Sequence, residues 1–466
     1  MSLAPFAHVA LFTGAGMGHL TPFLRLATLL LHHNCQVTLI TPLPTVSKAE
    51  TELLSKFLSS FPRVNQLKFH LLPFDANATS KPSNDPFFLQ VASIRNSCHL
   101  LPPLLASLSP PFSAFVIDMT LISPLLPVAH TLGVPPYILF TSSATMFSFF
   151  SYFPSLAATS SFPGLDVVEI PGGFSTIPRS SIPSFLLDPN NIFGNILMDD
   201  SPKLTKVHGV FINTFEGLEA KCLEALNGGK VVKDLPSVYA IGPLMPCEFE
   251  KVHQKGAPLK WLDDQPNGSV VYVSFGSRTA LGRDQIRELG DGLVRSGCRF
   301  LWVLKDKKVD REDEEGLDEI LGIELVGRMK GKGLVVKEWV DQREILGHKA
   351  VRGFMSHCGW NSVIEAAWHG VPIMGWPQLG DQKINAEVVS KGGWGVWNQE
   401  WGWEGERLVK GEEIGEAIKE MMNNESLVIK AAQVKGAARK AISVGGECQV
   451  NLKTLIGEWK KNAKNI

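Results

Sequence analysis

The chain lacks a charge excess, a paired-cysteine motif and a long apolar run, and each absence excludes something. Its 45 Lys and Arg nearly balance 46 Asp and Glu, for a formal net charge of -1 among 466 residues. That balance gives no field for nucleic acid or an anionic membrane, so the expected partners are small molecules. The seven cysteines, at positions 35, 98, 222, 247, 298, 358 and 448, are odd in number and form no Cys-x-x-Cys. A disulfide framework or zinc site is therefore not expected, and a reducing, cytoplasmic setting is. The first apolar stretch is cut by His8 and by glycines, which leaves it too short for a signal peptide or a membrane span. Without a secretory signal, the sequons at Asn77 and Asn267 are read as incidental. Tyrosine is scarce, four residues against 26 Phe and 11 Trp, so the aromatic surface is mainly apolar and suits cores or apolar pockets.

A chain of 466 residues exceeds the roughly 250 to 300 at which one core stops growing, so two domains are expected. Short β-type runs alternate with helical patterns through the first half: Val9–Phe12, Gln36–Thr41, Leu67–Leu72, Ala114–Ile117, Tyr137–Phe140 and Val210–Asn213. The second half repeats the alternation with Ser269–Phe275, Arg299–Leu304, Leu334–Lys337, Val351–Ser356 and Val371–Trp376. Such βα units predict an α/β protein with two doubly wound, Rossmann-like parallel sheets. Domains over 1–243 and 259–445 are expected, with the proline-rich stretch 244–258 between them as a linker. The charge run Asp306–Asp318 reads as a solvated loop, and the Pro- and Ser-rich stretch Phe162–Pro189 as an insertion, either a surface excursion or a wall of a binding site. Two such domains facing a central cleft would bind ligands at the carboxyl ends of their strands.

At the first of these ends stands Thr13-Gly-Ala-Gly-Met-Gly-His-Leu-Thr-Pro-Phe23. The strand–turn–helix context is that of a dinucleotide loop, but His19 occupies the position of the third glycine. His19 is read either as a turn or helix-cap residue or as a general base, for which a near-neutral pKa is suited. Asp118, closing the strand Ser113-Ala-Phe-Val-Ile-Asp118, is either a helix cap or the carboxylate that orients the imidazole.

A second cluster runs from Trp339 to Gln382. Within it, a strand ends in His357-Cys-Gly-Trp-Asn-Ser362 and a helix follows. A glycine turn with hydroxyl and amide side chains at a helix N-terminus is suited to a phosphate. His357 adds a donor. Glu365, three residues after Ser362, fits either a capping box or acceptance of ribose hydroxyls. Trp339 fits either a core or a stack on a base, and Asp381 with Gln382 suits sugar hydroxyls.

This 44-residue segment resembles the signature box of plant UDP-dependent glycosyltransferases, and the resemblance extends over essentially the whole chain. It implies a GT-B fold, with a helix at 446–466 packing back on the N-terminal domain, and UDP-glucose as donor substrate with no further cofactor. By position, it implies that Trp339 stacks on uracil, Gln342 contacts base and ribose, and Glu365 holds the ribose. His357, Asn361, Ser362 and Ser277 correspond to pyrophosphate contacts, Trp360, Asp381 and Gln382 to sugar contacts, and Thr141 to a residue on the sugar O6 side. His19 and Asp118 match the catalytic base and its partner.

Gly14-Ala-Gly-Met-Gly18 departs from the proline-containing segment of many members that glycosylate oxygen, and it stands with two further stretches, Asp85-Pro-Phe-Phe-Leu89 and Ser274-Phe-Gly-Ser-Arg-Thr-Ala280. They are similar to those of flavonoid C-glucosyltransferases, which implies a polyphenol acceptor of 2-hydroxyflavanone or dihydrochalcone type. Asp85, Phe87 and Phe88 are then candidate acceptor contacts, unless Asp85-Pro-Phe is an ordinary turn before buried aromatics. The chain has no Asp-x-Asp, and the expectation is metal-independent transfer with the diphosphate charge met by the helix N-terminus, His357 and Ser277. An O-glucosyltransferase and a non-catalytic UDP-sugar binder are the alternatives. A dinucleotide oxidoreductase is disfavoured by His19 and by the absence of an acidic residue closing Cys35–Pro42.

Overall fold

In the computed structural model, which describes residues 6–73, 85–159, 164–188, 191–250, 256–305 and 315–462, the short apolar runs become parallel strands. The Asn77 sequon and residues 306–314 of the charge run lie outside the described residues. In chain order the first strands are β1 (His8–Phe12), β2 (Gln36–Leu43), β3 (Asn65–His70), β4 (Ala114–Asp118), β5 (Pro136–Phe140), β6 (Val167–Ile170), β7 (Ser175–Pro178), β8 (Gly209–Ile212) and β9 (Val238–Ala240). They are followed by β10 (Val270–Ser274), β11 (Arg299–Val303), β12 (Gly333–Val336), β13 (Val351–Ser356), β14 (Ile373–Gly375) and β15 (Gly395–Trp397). The chain divides into two compact units, Met1–Phe249 with Lys440–Ile466, and Glu250–Arg439.

The first unit holds a seven-stranded parallel sheet in the order β3-β2-β1-β4-β5-β8-β9, with an antiparallel β6–β7 hairpin in the insertion. Every residue of β1, β4 and β5 is buried, as strands covered by helices on both faces must be. Phe23, Leu24 and Leu30 of helix Met17–His32 pack on one side with Leu54 and Phe57. The C-terminal helix Glu447–Asn462 adds Leu452, Leu455, Ile456 and Trp459 to the same core. Trp459 is fully buried against Tyr137 and Phe211, and its truncation to Ala would cost about 3–5 kcal/mol.

The second unit has a six-stranded parallel sheet, β12-β11-β10-β13-β14-β15. Helices Arg283–Arg295 and Gly411–Asn423 supply Leu289, Leu293, Ile414 and Ile418 to its core. In both sheets the strand order reverses beside the first strand, between β1 and β4 and between β10 and β13. Those two points are where this topology opens a crevice at the carboxyl ends.

The start of the expected linker is not solvated. Leu244 and Phe249 are buried in the first unit, Asn213 Oδ1 accepts from Leu244 N, and Arg25 Nη1 donates to the Leu244 carbonyl. Proline-rich sequence removes backbone donors without preventing such burial, and here it forms a strap across the core.

Candidate active site

The first site grows from the β1/β4 switch point. His19 lies in the first turn of helix Met17–His32, and its Nδ1 is 2.7 Å from Asp118 Oδ2 at the end of β4. Asp118 is fully buried, while the His19 side chain keeps 17% exposure. The other carboxylate oxygen, Oδ1, accepts both the N–H and the O–H of Thr120, at 2.9 and 2.7 Å. Burial disfavours the Asp118 charge, but His19 and the two Thr120 bonds outweigh it and hold the carboxyl below its ordinary value. An ionised Asp118 has no proton to give, so His19 Nδ1 carries the hydrogen and Nε2 is the basic nitrogen. Thr141 Oγ1 stands 3.3 Å from the same Nδ1.

The glycines of the loop answer to these side chains. A Cβ on Gly14 would lie 2.6 Å from Asp118 Oδ1, and Gly16, at φ +87°, faces the Phe87 ring. A Cβ on Gly18 would meet none of the described residues within 4 Å. The loop thus lets the chain pass close over Asp118 and Phe87 while it presents His19.

Beside His19 is an aromatic wall. The His19 and Phe87 rings are 5.6 Å apart, Phe87 stacks on Phe193 at 5.7 Å, and Phe88 meets Phe193 at 4.7 Å and Phe185 at 6.2 Å. Phe87 is buried and Phe88 half-buried. Asp85 caps helix Pro86–Ser97, its Oδ1 accepting from Phe87 N at 2.9 Å, and so fixes where the two rings begin.

The second site sits at the β10/β13 switch point. Gly276 follows β10 at φ +74° and Gly359 precedes helix Trp360–His369; a side chain on either would strike the His357 imidazole. Burial pushes His357 down to about 4, with the Ser274 backbone pulling the other way, so the ring is neutral at pH 7. Its Nδ1 is buried and has no hydrogen-bond partner among the described residues. Cys358 takes a left-handed φ of 63°, which turns the chain from β13 into the helix. That helix has no side-chain cap and no acidic residue in its first turn.

Gln342 Nε2 donates to Ser362 Oγ at 3.1 Å and to Glu365 Oε2 at 2.9 Å, and Tyr272 O–H donates to Gln342 Oε1. Glu365 thus accepts from Gln342, and because the N-cap of the helix is Gly359, Ser362 lies inside it and is not the cap of a box with Glu365. Trp339 is 64% exposed, an unusual surface for so large an apolar ring. Trp360 is buried and Asn361 half-buried in the helix's first turn. Asp381 Oδ2 accepts from Asn385 Nδ2, and Gln382 Oε1 accepts from the backbone of Gln378 and Leu379. Ser277 is half-buried, and its carbonyl accepts from Lys305.

The structure thus gathers His19, Asp118, Thr141, Phe87 and Phe88 in one unit and Gln342, Ser362 and Glu365 in the other. Thr120, Phe185 and Phe193 had escaped notice. Thr120 had a local signal, since an Asp two residues before a Thr is a common turn of this kind; the two phenylalanines had none.

A family model described as UDP-glucoronosyl and UDP-glucosyl transferase matches residues 235–433. Over 98% of both chains, the protein is 55% identical to UDP-glycosyltransferase 708D1 of Glycine max. It is 47% identical to UDP-glycosyltransferase CGT of Oryza sativa subsp. japonica, over 94% of this chain and 93% of the relative. The crystal structure of LpCGTa in complex with UDP superposes with a TM-score of 0.87 at 45% identity, covering 97% of this chain and 99% of that one. The chain belongs to the plant UDP-glycosyltransferase family, with the GT-B fold of two Rossmann-like domains. It is an enzyme of sugar transfer. Among the described residues, no helix is long and apolar enough to cross a membrane.

Proposed function

We propose that the protein transfers glucose from UDP-glucose to a ring carbon of a polyphenol, of the 2-hydroxyflavanone or dihydrochalcone type, with inversion at the sugar C1. The observation that carries the proposal is the 2.7 Å bond from His19 Nδ1 to Asp118, flanked by the wall of Phe87, Phe88, Phe185 and Phe193. A flat apolar acceptor suits such a wall, and the bond sets His19 Nε2 as base. The names CGT and LpCGTa among the relatives point the same way.

In this reading, Nε2 takes the phenolic proton and charge spreads to the ortho carbon. That carbon forms a bond to sugar C1 while the bond from C1 to the diphosphate oxygen breaks and UDP departs. The ring C–H proton then passes to solvent while the His19 imidazolium returns its proton to the phenolic oxygen, so that aromaticity and the free base are both restored. Asp118 stabilises the imidazolium formed in the first step. Trp339 stacks on the uracil, Gln342 and Glu365 hold base and ribose, and His357, Asn361, Ser362 and Ser277 receive the diphosphate. Trp360, Asp381, Gln382 and Thr141 contact the glucose, and Asp85 acts on the acceptor by setting Phe87 and Phe88. The helix N-terminus meets the leaving charge without a metal, so a chelator leaves the rate unchanged.

Incubation with UDP-glucose and a dihydrochalcone, followed by acid hydrolysis and mass spectrometry, tests the linkage. An acid-stable product with cross-ring sugar fragments supports the proposal. A product that loses a whole hexose in acid makes the enzyme an O-glucosyltransferase.

A further inference from the structure

Arg95 makes no hydrogen bond to His19 or Asp118, yet it is tied to the backbone that holds them. Its Nη1 donates to the Thr120 carbonyl at 2.6 Å and to Asp200 Oδ2 at 2.7 Å. Nη2 donates to Asp200 Oδ1 at 3.1 Å and to Asp199 Oδ2 at 3.0 Å. Asp200 is fully buried, and its Oδ1 also accepts from Ser123 N at the start of helix Ile122–Leu132. Since Thr120 gives both its donors to Asp118, an unbroken line of bonds runs His19–Asp118–Thr120–Arg95–Asp200.

The same two charged residues stand on the helices that carry the aromatic wall. Phe88 and Arg95 are seven residues apart on helix Pro86–Ser97, and Phe193 and Asp200 are seven apart on helix Ile192–Asp200. Seven residues are close to two turns, about 10 Å, so each pair shares a helix face. The helices are therefore fastened twice in register: by Phe88 on Phe193 at 4.7 Å and by the ion pair two turns further on. An ion pair this buried is poor value as a stabiliser, because well-packed apolar residues commonly do as well. What it supplies that apolar contacts do not is direction, through a guanidinium that bonds two carboxylates and a carbonyl in one plane.

We infer that Arg95 and Asp200 are positioning residues that fix the wall of Phe87, Phe88 and Phe193 relative to the His19–Asp118 pair, and so set which atom of the acceptor ring faces the sugar. This rests on the proposed function and deepens it, locating the choice between carbon and oxygen in the aim of the wall. His19 takes the same proton for either product; the orientation of the ring selects the nucleophile.

Two variants test it, with His19→Ala as control. Arg95→Lys keeps the charge but cannot bond Thr120 and both oxygens of Asp200 together. The double variant Arg95→Met/Asp200→Leu removes both charges and leaves none buried alone, so its melting temperature stays near that of the parent. For each, kcat, the KM of both substrates, UDP binding, thermal unfolding and the ratio of acid-stable to acid-labile product are measured. The expected result is unchanged UDP binding with kcat lowered about 10- to 100-fold, as for a displacement on the order of 1 Å, and a product ratio shifted toward oxygen. A folded variant with parental kcat and ratio overturns the inference, as does a loss of rate that only follows the loss of folded protein at constant ratio. Activity retained by His19→Ala instead overturns the assignment of the base. If the parent makes only O-glucosides, the linkage reading fails, and the wall is then judged by a shift among hydroxyl positions, whose absence overturns it.

Discussion

Gly14 lies so close to Asp118 that an added Cβ would stand 2.6 Å from Oδ1. The carboxylate cannot yield easily, because Thr120 holds that oxygen and His19 holds the other. Gly14→Ala is expected to push Asp118 off His19 and lower kcat about 100-fold, the scale of a misplacement near 1 Å. UDP affinity should not change, and isothermal titration beside steady-state kinetics checks both.

Asp118→Asn keeps the shape but removes the charge that fixes the His19 tautomer. An amide can donate to Nδ1, which moves the hydrogen to Nε2 and blocks the base. A fall in kcat of about 1,000-fold or more is expected, in line with the same change in hydrolytic triads. Unchanged turnover with a phenolic acceptor would remove Asp118 from the mechanism.

Trp339 is mostly exposed, so its loss should hardly touch the fold. Trp339→Ala is expected to melt within about 1 °C of the parent, as surface substitutions do. UDP-glucose KM should rise about 10- to 100-fold if the ring stacks on uracil. A matching fall in melting temperature with KM unchanged would mean that the ring is structural.

His369 is held at about 4 by burial, with Lys435, Arg343 and Arg439 adding to the effect, and its Nε2 is buried with no hydrogen-bond partner among the described residues. Its folded value lies below the ordinary 6.5, so between pH 6.5 and 4 the unfolded chain takes a proton that the native one refuses. Stability from this group is full above pH 6.5 and falls as the pH drops toward 4. His357 acts in the same direction, whereas the raised carboxyls of Glu219 and Asp200 act oppositely. The His369 share is therefore read as a difference: the melting temperature of His369→Gln should decline less between pH 7 and 4.5 than that of the parent. Parallel curves would contradict the assignment.

The central strands were legible because burial on both faces writes them as unbroken apolar runs, as in Ala114–Asp118. The three helices of the tail also appeared where their glycine and asparagine breaks place them. The edge strands Val238–Ala240 and Gly395–Trp397 were missed, since three residues hold no period. The strand Asn65–His70 was placed two residues late, because an edge strand with one buried residue offers little apolar signal. His19 and Asp118 were legible as strand-end residues of adjacent βα units. Arg95 was not, because its partners Thr120 and Asp200 lie 25 and 105 residues away and only the folded chain unites them.

The proposed reaction makes a carbon–carbon bond over His19. Nuclear magnetic resonance of the product from UDP-glucose and a dihydrochalcone, formed by the parent and by His19→Ala, tests it most directly. The expected spectrum lacks one aromatic ring proton, shows the sugar anomeric proton correlated to a ring carbon in the β configuration, and is absent with His19→Ala. A product that keeps every ring proton and has the sugar on oxygen would contradict the claim.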